Sequence, residues 1–309
     1  VNWLLTSLAC AASVAAACTN TPAGHAADRS SADRIVRTEE LPERERAAWD
    51  AYRRGGAEWE LRREEVRKDP LLARFVVQNA AREMVATFER SRLQTKPIAD
   101  GPFERAQAEL VALKEYSTPL LVQSLQVKDG VVAFLAGDVL VRIGASAVLP
   151  TAGLLGDARA ETRRRAAELL GKLPAEAAAE ADVLAQLGVV VTKDPEWIVR
   201  AQAAQALALR GSQAKLTAHP TGVLCRALLD TDPAVAIAAA QGLSLLDDLR
   251  CFSRLVDALE HASGRGEPKL VVEIERTLAS LSRDSKKRAP TQWRSWWEAN
   301  QKRLQAERS

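Results

Sequence analysis

Aromatic residues are scarce in this 309-residue chain, 5% of the total with only two tyrosines. That scarcity argues against a sheet-based fold, in which aromatic and β-branched residues are enriched. The three histidines form no His-Glu pair at metal spacing, and the four cysteines form no C-x-x-C pair. No zinc site and no disulfide framework are expected. Glycines are scattered, so no loop cradles a phosphate, and no serine sits in a G-x-S-x-G elbow. Neither a catalytic residue nor a cofactor is therefore expected. An excess of one charge is also missing. The 43 basic and 40 acidic residues leave +3, short of the clustered basic footprint that nucleic acid requires. Asp247-Asp248 is the one carboxylate pair considered, and it reads as solvated polarity at a helix end.

What is present begins with an uncharged apolar start. Trp3 to Ala17, WLLTSLACAASVAAA, is too short for a membrane span of about 20 residues. It suits the apolar region of a signal peptide, although no Lys or Arg precedes it. At Cys18 the pattern resembles a bacterial lipoprotein signal. Ala15, Ala16 and Ala17 fill the small positions, with Ala15 where that signal prefers Leu. The resemblance implies that residues 1–17 are removed and that Cys18 carries lipid, anchoring an exported protein to a membrane. Plain secretion with cleavage near Ala26 and a nonfunctional hydrophobic start are the alternatives. Cys10 is the poorer acceptor, with only a short run before it. Residues 18–38 lack an apolar face and read as a disordered tether.

Residues 39–102 read as an N-terminal helical cap. PERERAAWDAYRRGGAEWELRREEVRKDP mixes charge signs closely, a solvated helix face broken at Gly55-Gly56, with Trp49, Tyr52 and Trp59 as anchors. Asp69-Pro70 starts a helix whose apolar residues include Phe75, Val76, Ala80, Met84, Val85 and Phe88. From Phe103 a two-helix unit repeats through 103–284. The second helices align on Leu140, Leu170, Leu207, Leu243 and Leu278, spaced by 30, 37, 36 and 35. Four residues before stand Ala136, Ala166, Ala203, Ala239 and Ile274, and eight before stand Val132, Thr162, Val199, Val235 and Leu270. Positions 0, 4 and 8 form one helical stripe, and small residues at its middle let neighbouring helices approach. Asp194-Pro195 and Asp232-Pro233 are expected to cap their helices and preset the first turn. Such pairs bury their faces only by stacking.

The D-P-x-x-x-V-R-x-x-A-A-x-A-L run from Asp194 to Leu207 resembles the HEAT repeat, and the resemblance extends from about Phe103 to Ser282. It departs from the pattern at Ala236, where HEAT repeats favour Arg, and across Glu267 to Leu278. Tetratricopeptide repeats have a similar period but need regular aromatics that are missing here. The resemblance implies an all-α, right-handed solenoid of helical hairpins. Residues 285–309, with QWRSWWEANQKRLQ, read as a capping helix. Trp293, Trp296, Trp297 and Leu304 would face the last repeat, with Arg294, Glu298 and Lys302 pointing away. Cys225 and Cys251 read as buried free thiols, with a bridge left open for an exported chain.

Three HEAT-like enzyme classes set the alternatives. A deoxyhypusine hydroxylase needs His-Glu steps for di-iron, which are missing. An alkylpurine DNA glycosylase needs a basic aromatic cleft, for which Trp197 and Arg163 to Arg165 are the only suggestive residues. A phycobilin lyase shows no specific motif here. The favoured expectation is a scaffold that binds a protein or peptide in its concave groove. Positions two and six after each stripe start would line it: Phe134 and Asp138, Arg164 and Glu168, Ala201 and Gln205, Ile237 and Gln241, Val272 and Arg276. The competing expectation is that adjacent repeats bury the same residues.

Overall fold

A computed structural model describes residues 42–94 and 101–308. Cys10, Cys18, His25, the signal and the tether lie outside them. The chain forms two compact units, one ending at Ile143 and one running from Gly144 to Ser309. All regular structure among the described residues is helical.

The first unit contains α1 (Glu43–Arg54), α2 (Gly56–Lys68), α3 (Pro70–Gln94), α4 (Pro102–Ala112), α5 (Lys114–Ser124) and α6 (Gly130–Ile143). The Gly55-Gly56 break is real: both glycines take positive φ, 69° and 70°, which favours residues without a Cβ. Asp69 caps α3 by accepting the N–H groups of Leu71 and Leu72, with Pro70 in the first turn. The apolar stripe of α3 buries Val76, Ala80, Met84 and Val85 against α4 and its neighbours. The charge run is less solvated than its sequence suggests. Arg67 and Glu64 pair within the helix, but Arg63 crosses to Glu109 at 3.1 Å, and Trp59 Nε1 donates to the same buried carboxylate at 2.7 Å. Burial pushes the Glu109 carboxyl up, and Trp59 and Arg63 offset part of that rise.

In the second unit, α7 (Val148–Ala152) and α8 (Ala160–Lys172) form the first hairpin. Then come α9 (Glu180–Lys193) with α10 (Trp197–Ala214), α11 (Ala218–Ala227) with α12 (Pro233–Leu246), and α13 (Phe252–Gly264) with α14 (Pro268–Ser282). Helix α15 (Pro290–Ala306) lies against α13. The second helices α8, α10, α12 and α14 pack in a row, each on the next. Every expected stripe leucine in the two units, Leu140, Leu170, Leu207, Leu243 and Leu278, is fully buried. Glycines beside the stripe show how closely the helices approach. A Cβ added at Gly171 would meet the Ala206 backbone at 3.3 Å. One added at Gly242 would meet Ala208 Cβ at 2.8 Å and Leu224 Cδ1 at 2.9 Å. Gly242→Leu is therefore expected to push α12 off α10 and cost about 1–3 kcal/mol, the usual price of overpacking. Thermal melts check this, and an unchanged midpoint would show that the seam is loose.

Between hairpins runs a ladder that the sequence reading missed. Arg163 on α8 clamps Asp194 at 2.6 and 2.9 Å, and also donates to the Asp157 carbonyl. Arg200 on α10 repeats the arrangement on Asp230 at 2.9 and 2.7 Å and on the Asp194 carbonyl. This explains a departure at Asp194-Pro195. Helix α10 starts only at Trp197, and Asp194 accepts the Glu196 N–H in the turn before it. At Asp232-Pro233 the expectation holds, with Asp232 accepting from Ala234 and Pro233 in the first turn. The ladder stops where Ala236 replaces the arginine.

Burial alone would raise the Asp194 and Asp230 carboxyls. Their arginines and the turn amides outweigh it and hold both below the usual carboxylate range. The stability they supply is full above the unfolded aspartate value, about 3.9. It is lost as pH falls through the lower folded values. Wild-type melts should fall steeply on acidification there, and Arg163→Met with Arg200→Met should flatten that dependence. Equal pH slopes in both proteins would remove the ladder from the acid response.

Two further departures concern single residues. Cys225 and Cys251 form a disulfide, with Cα atoms 5.8 Å apart, rather than two free thiols. The first helices α11 and α13 bring these positions together, which their separation of 26 residues conceals. Asp247 and Asp248 are not idle polarity. Asp247 takes positive φ, 48°, and accepts from Arg308, while Asp248 caps the turn before α13 and binds Arg250 and Thr221.

Candidate functional site

The second helices leave one face uncovered, and the expected groove positions lie on it. In the second unit these are Arg164 and Glu168 on α8, Ala201 and Gln205 on α10, Ile237 and Gln241 on α12, and Val272 and Arg276 on α14. Gln205, Gln241, Val272 and Arg276 are exposed, and the others are half-buried. The geometry follows from the stripe. Residues at 0, 4 and 8 turn into the stack, so those offset by two turn away from it. In the first unit, Phe134 on α6 is 66% exposed, and Asp138 beside it accepts from Gln107 at 3.0 Å.

The charges on this face are largely compensated. Arg164 donates to Glu161 at 2.9 Å and Glu168 at 3.1 Å, and Lys172 reaches Glu168 at 2.7 Å. Arg276 is paired with Glu273. Guanidiniums held this way offer little to a phosphate backbone, whose binding depends on free basic groups.

The expected set is incomplete in one respect. The same offset continued by one more turn gives Leu209 on α10 and Leu245 on α12, 40% and 46% exposed. With Ile237 and Val272 they make an apolar strip across α10, α12 and α14. The signal was present in the sequence, because 201, 205 and 209 recur as 237, 241 and 245. Trp197, at the start of α10, is also partly exposed. No group of three or more His, Cys, Asp or Glu that could hold a metal occurs among the described residues. Gly130–Gly156 is long and apolar enough to cross a membrane, but it is half buried within the protein. A 3-10 turn at Gly144–Ala147 also interrupts it.

A family model described as HEAT repeats matches residues 184–278. That span covers the hairpins from α9 to α14 and begins well after Phe103, where the resemblance was expected to start. No curated protein matches the chain. Among solved structures, one crystal structure of an engineered protein from the Northeast Structural Genomics Consortium aligns with TM-score 0.40 and 20% identity. It covers 69% of this chain and 90% of that one. A second engineered protein from the same consortium aligns with TM-score 0.38 and 19% identity, over 78% of this chain and 68% of that one. The fold class rests on the helices and on the family match. The chain is an all-α protein of stacked helical hairpins, similar to HEAT repeats over residues 184–278.

Proposed function

We propose that this protein is an exported, lipid-anchored scaffold that holds a protein or peptide partner on the open face of its second helices. One observation carries the reading: an apolar strip, Leu209, Ile237, Leu245 and Val272, stands exposed or half-buried beside Gln205 and Gln241. Exposed apolar surface rimmed by polar groups is what a partner helix or extended segment covers on binding. The glutamines supply donors and acceptors that fix such a segment in register. Compensated arginines on the same face favour a polypeptide over a nucleic acid.

The Cys225–Cys251 bridge supports the address. Disulfides persist in oxidising compartments and are rare in the cytosol. Cys18 remains the proposed lipid acceptor and membrane anchor. Mass spectrometry of protein from native membranes is expected to find an N-terminal peptide that begins at Cys18 with added acyl mass. An intact precursor in the cytosol, or an unmodified terminus near Ala27, would overturn the anchor. The groove is tested separately with Leu245→Asp and Val272→Asp, both at exposed positions. Together they should abolish partner association and leave the melting temperature nearly unchanged, because surface substitutions usually stay within about 0.5 kcal/mol. Retained association would remove this face from the binding reading.

A further inference from the structure

The second unit has another open concavity, between the first helices α11 and α13. It is a cleft of about 360 Å³ lined by Ala218, Thr221, Gly222, Arg226, Arg250 and Arg254, with Cys225 in its wall. Arg226 and Arg254 are both exposed and have no carboxylate partner among the described residues. Arg250 is different. It is held by Asp248 through Nε and one terminal nitrogen and touches Thr217 at 3.2 Å, which leaves Nη1 free to donate. The acids farther along α13, Asp257 and Glu260, are taken by Arg294. The cleft therefore carries two uncompensated guanidiniums and part of a third.

Arg254 stands at the wrong end of its helix, whereas Arg226 lies in the last turn of α11, where a base is favoured. The N-terminus of α13 is the positive end of its dipole, where acids are favoured and bases are not. Its first turn holds no acid, its N-cap is Cys251, and no side chain caps it. Arg250 precedes that turn and Arg254 lies within it. A local rule broken without internal compensation is a mark of a site. The disulfide adds rigidity, because Cys225 adjoins Arg226 and Cys251 adjoins Arg250. The bridge thus ties the two walls together at the bases and fixes the distance between them. Preorganised donors lose less on binding than mobile ones.

We propose that this cleft is a site for a phosphate group, held by the guanidiniums of Arg226 and Arg254 with Arg250 Nη1. Planar guanidiniums match the tetrahedral oxyanion with paired, charge-assisted hydrogen bonds. The phosphate is either free in solution or the headgroup of an anionic lipid, and the same arginines serve both.

The test uses the full chain carrying Cys18→Ser, so that no acyl group contributes. Inorganic phosphate is titrated by calorimetry. Vesicles of phosphatidylglycerol in phosphatidylcholine are compared with phosphatidylcholine alone by co-sedimentation. Arg226→Ser with Arg254→Ser is set against Lys302→Ser, an exposed position on α15. Phosphate binding in about the millimolar range, weakened about tenfold or more by the arginine pair and unaffected at Lys302, supports a soluble anion. Binding only to phosphatidylglycerol vesicles, with the same dependence on the arginines, supports the headgroup. Binding to neither probe, or binding that the double variant retains, overturns the site. Loss of this cleft would leave the apolar strip on α10, α12 and α14 untouched.

Discussion

Replacing Arg210 with methionine will lower the melting temperature of the protein by roughly 6–20 °C, one of the two largest losses expected from a single change. Arg210 is completely buried on α10. Its Nε and a terminal nitrogen grip both oxygens of Glu180, itself 1% exposed at the start of α9. Its other terminal nitrogen donates to the Leu170 carbonyl at 2.7 Å and the Leu173 carbonyl at 3.3 Å. Those carbonyls belong to the end of α8, where a helix leaves acceptors without internal partners. One side chain therefore closes α8, anchors the start of α9 and extends from α10. Its removal strands a buried carboxylate, and breaking such a pair costs about 3–5 kcal/mol. Arg210→Met combined with Glu180→Leu should recover much of the loss, since neither charge then remains buried alone. A double variant no better than Arg210→Met would show that the carbonyl bonds, not the ion pair, dominate.

Trp293→Ala is expected to cost about 3–5 kcal/mol, the usual range for truncating a buried large aromatic. Trp293 is 1% exposed, edge-on to Phe252 at 5.9 Å and covered by the Arg288 guanidinium at 4.7 Å. Trp296 and Trp297 also surround Phe252, with Trp297 stacked at 4.3 Å, but both remain half-buried. Truncating either should cost less, roughly 1–2 kcal/mol in proportion to the apolar area lost. This ordering departs from the face as read in the sequence, which gave the three tryptophans equal standing. Arg294 departs as well. Instead of pointing away, it reaches Asp257 at 3.0 Å and also Glu260, both on α13. Those pairs are exposed, so Arg294→Ala should still leave the melting temperature nearly unchanged. If Trp293→Ala melts like wild type while membrane or partner association is lost, the tail is an anchor and not part of the fold.

The stripe could be read directly because it repeats one local rule, apolar residues four apart with the smallest in the middle. In four of the five helices an alanine holds the middle position, and the fifth has Ile274 there, while the spacing changes from 30 to 37 residues. The joints between them were harder to see. Arg163 meets an aspartate 31 residues away, and Asp194 looked like an ordinary cap because Asp-Pro before a helix usually is one. The missed signal was periodic: Asp157, Asp194 and Asp230 each stand 13 residues before a stripe leucine. Arg210 and Glu180 carried no such hint, since their meeting depends on the height at which α8, α9 and α10 stack. Cys225 and Cys251 were undecidable for the same reason. Of the candidate face, the expected positions were legible from the helical period, and Leu209 and Leu245 required only one more turn of it.

Site-specific photocrosslinking in native cells tests the partner-binding reading most directly. A photoreactive residue is placed at Ile237, Gln241 or Val272 on the open face, and at the exposed Ala185 on α9 as the reference. The account predicts one discrete adduct of the same mass increment from the three open-face positions, no adduct from Ala185, and loss of the adduct on adding Leu209→Asp and Leu245→Asp. Adducts of equal yield from Ala185, or none from the open face, would contradict it.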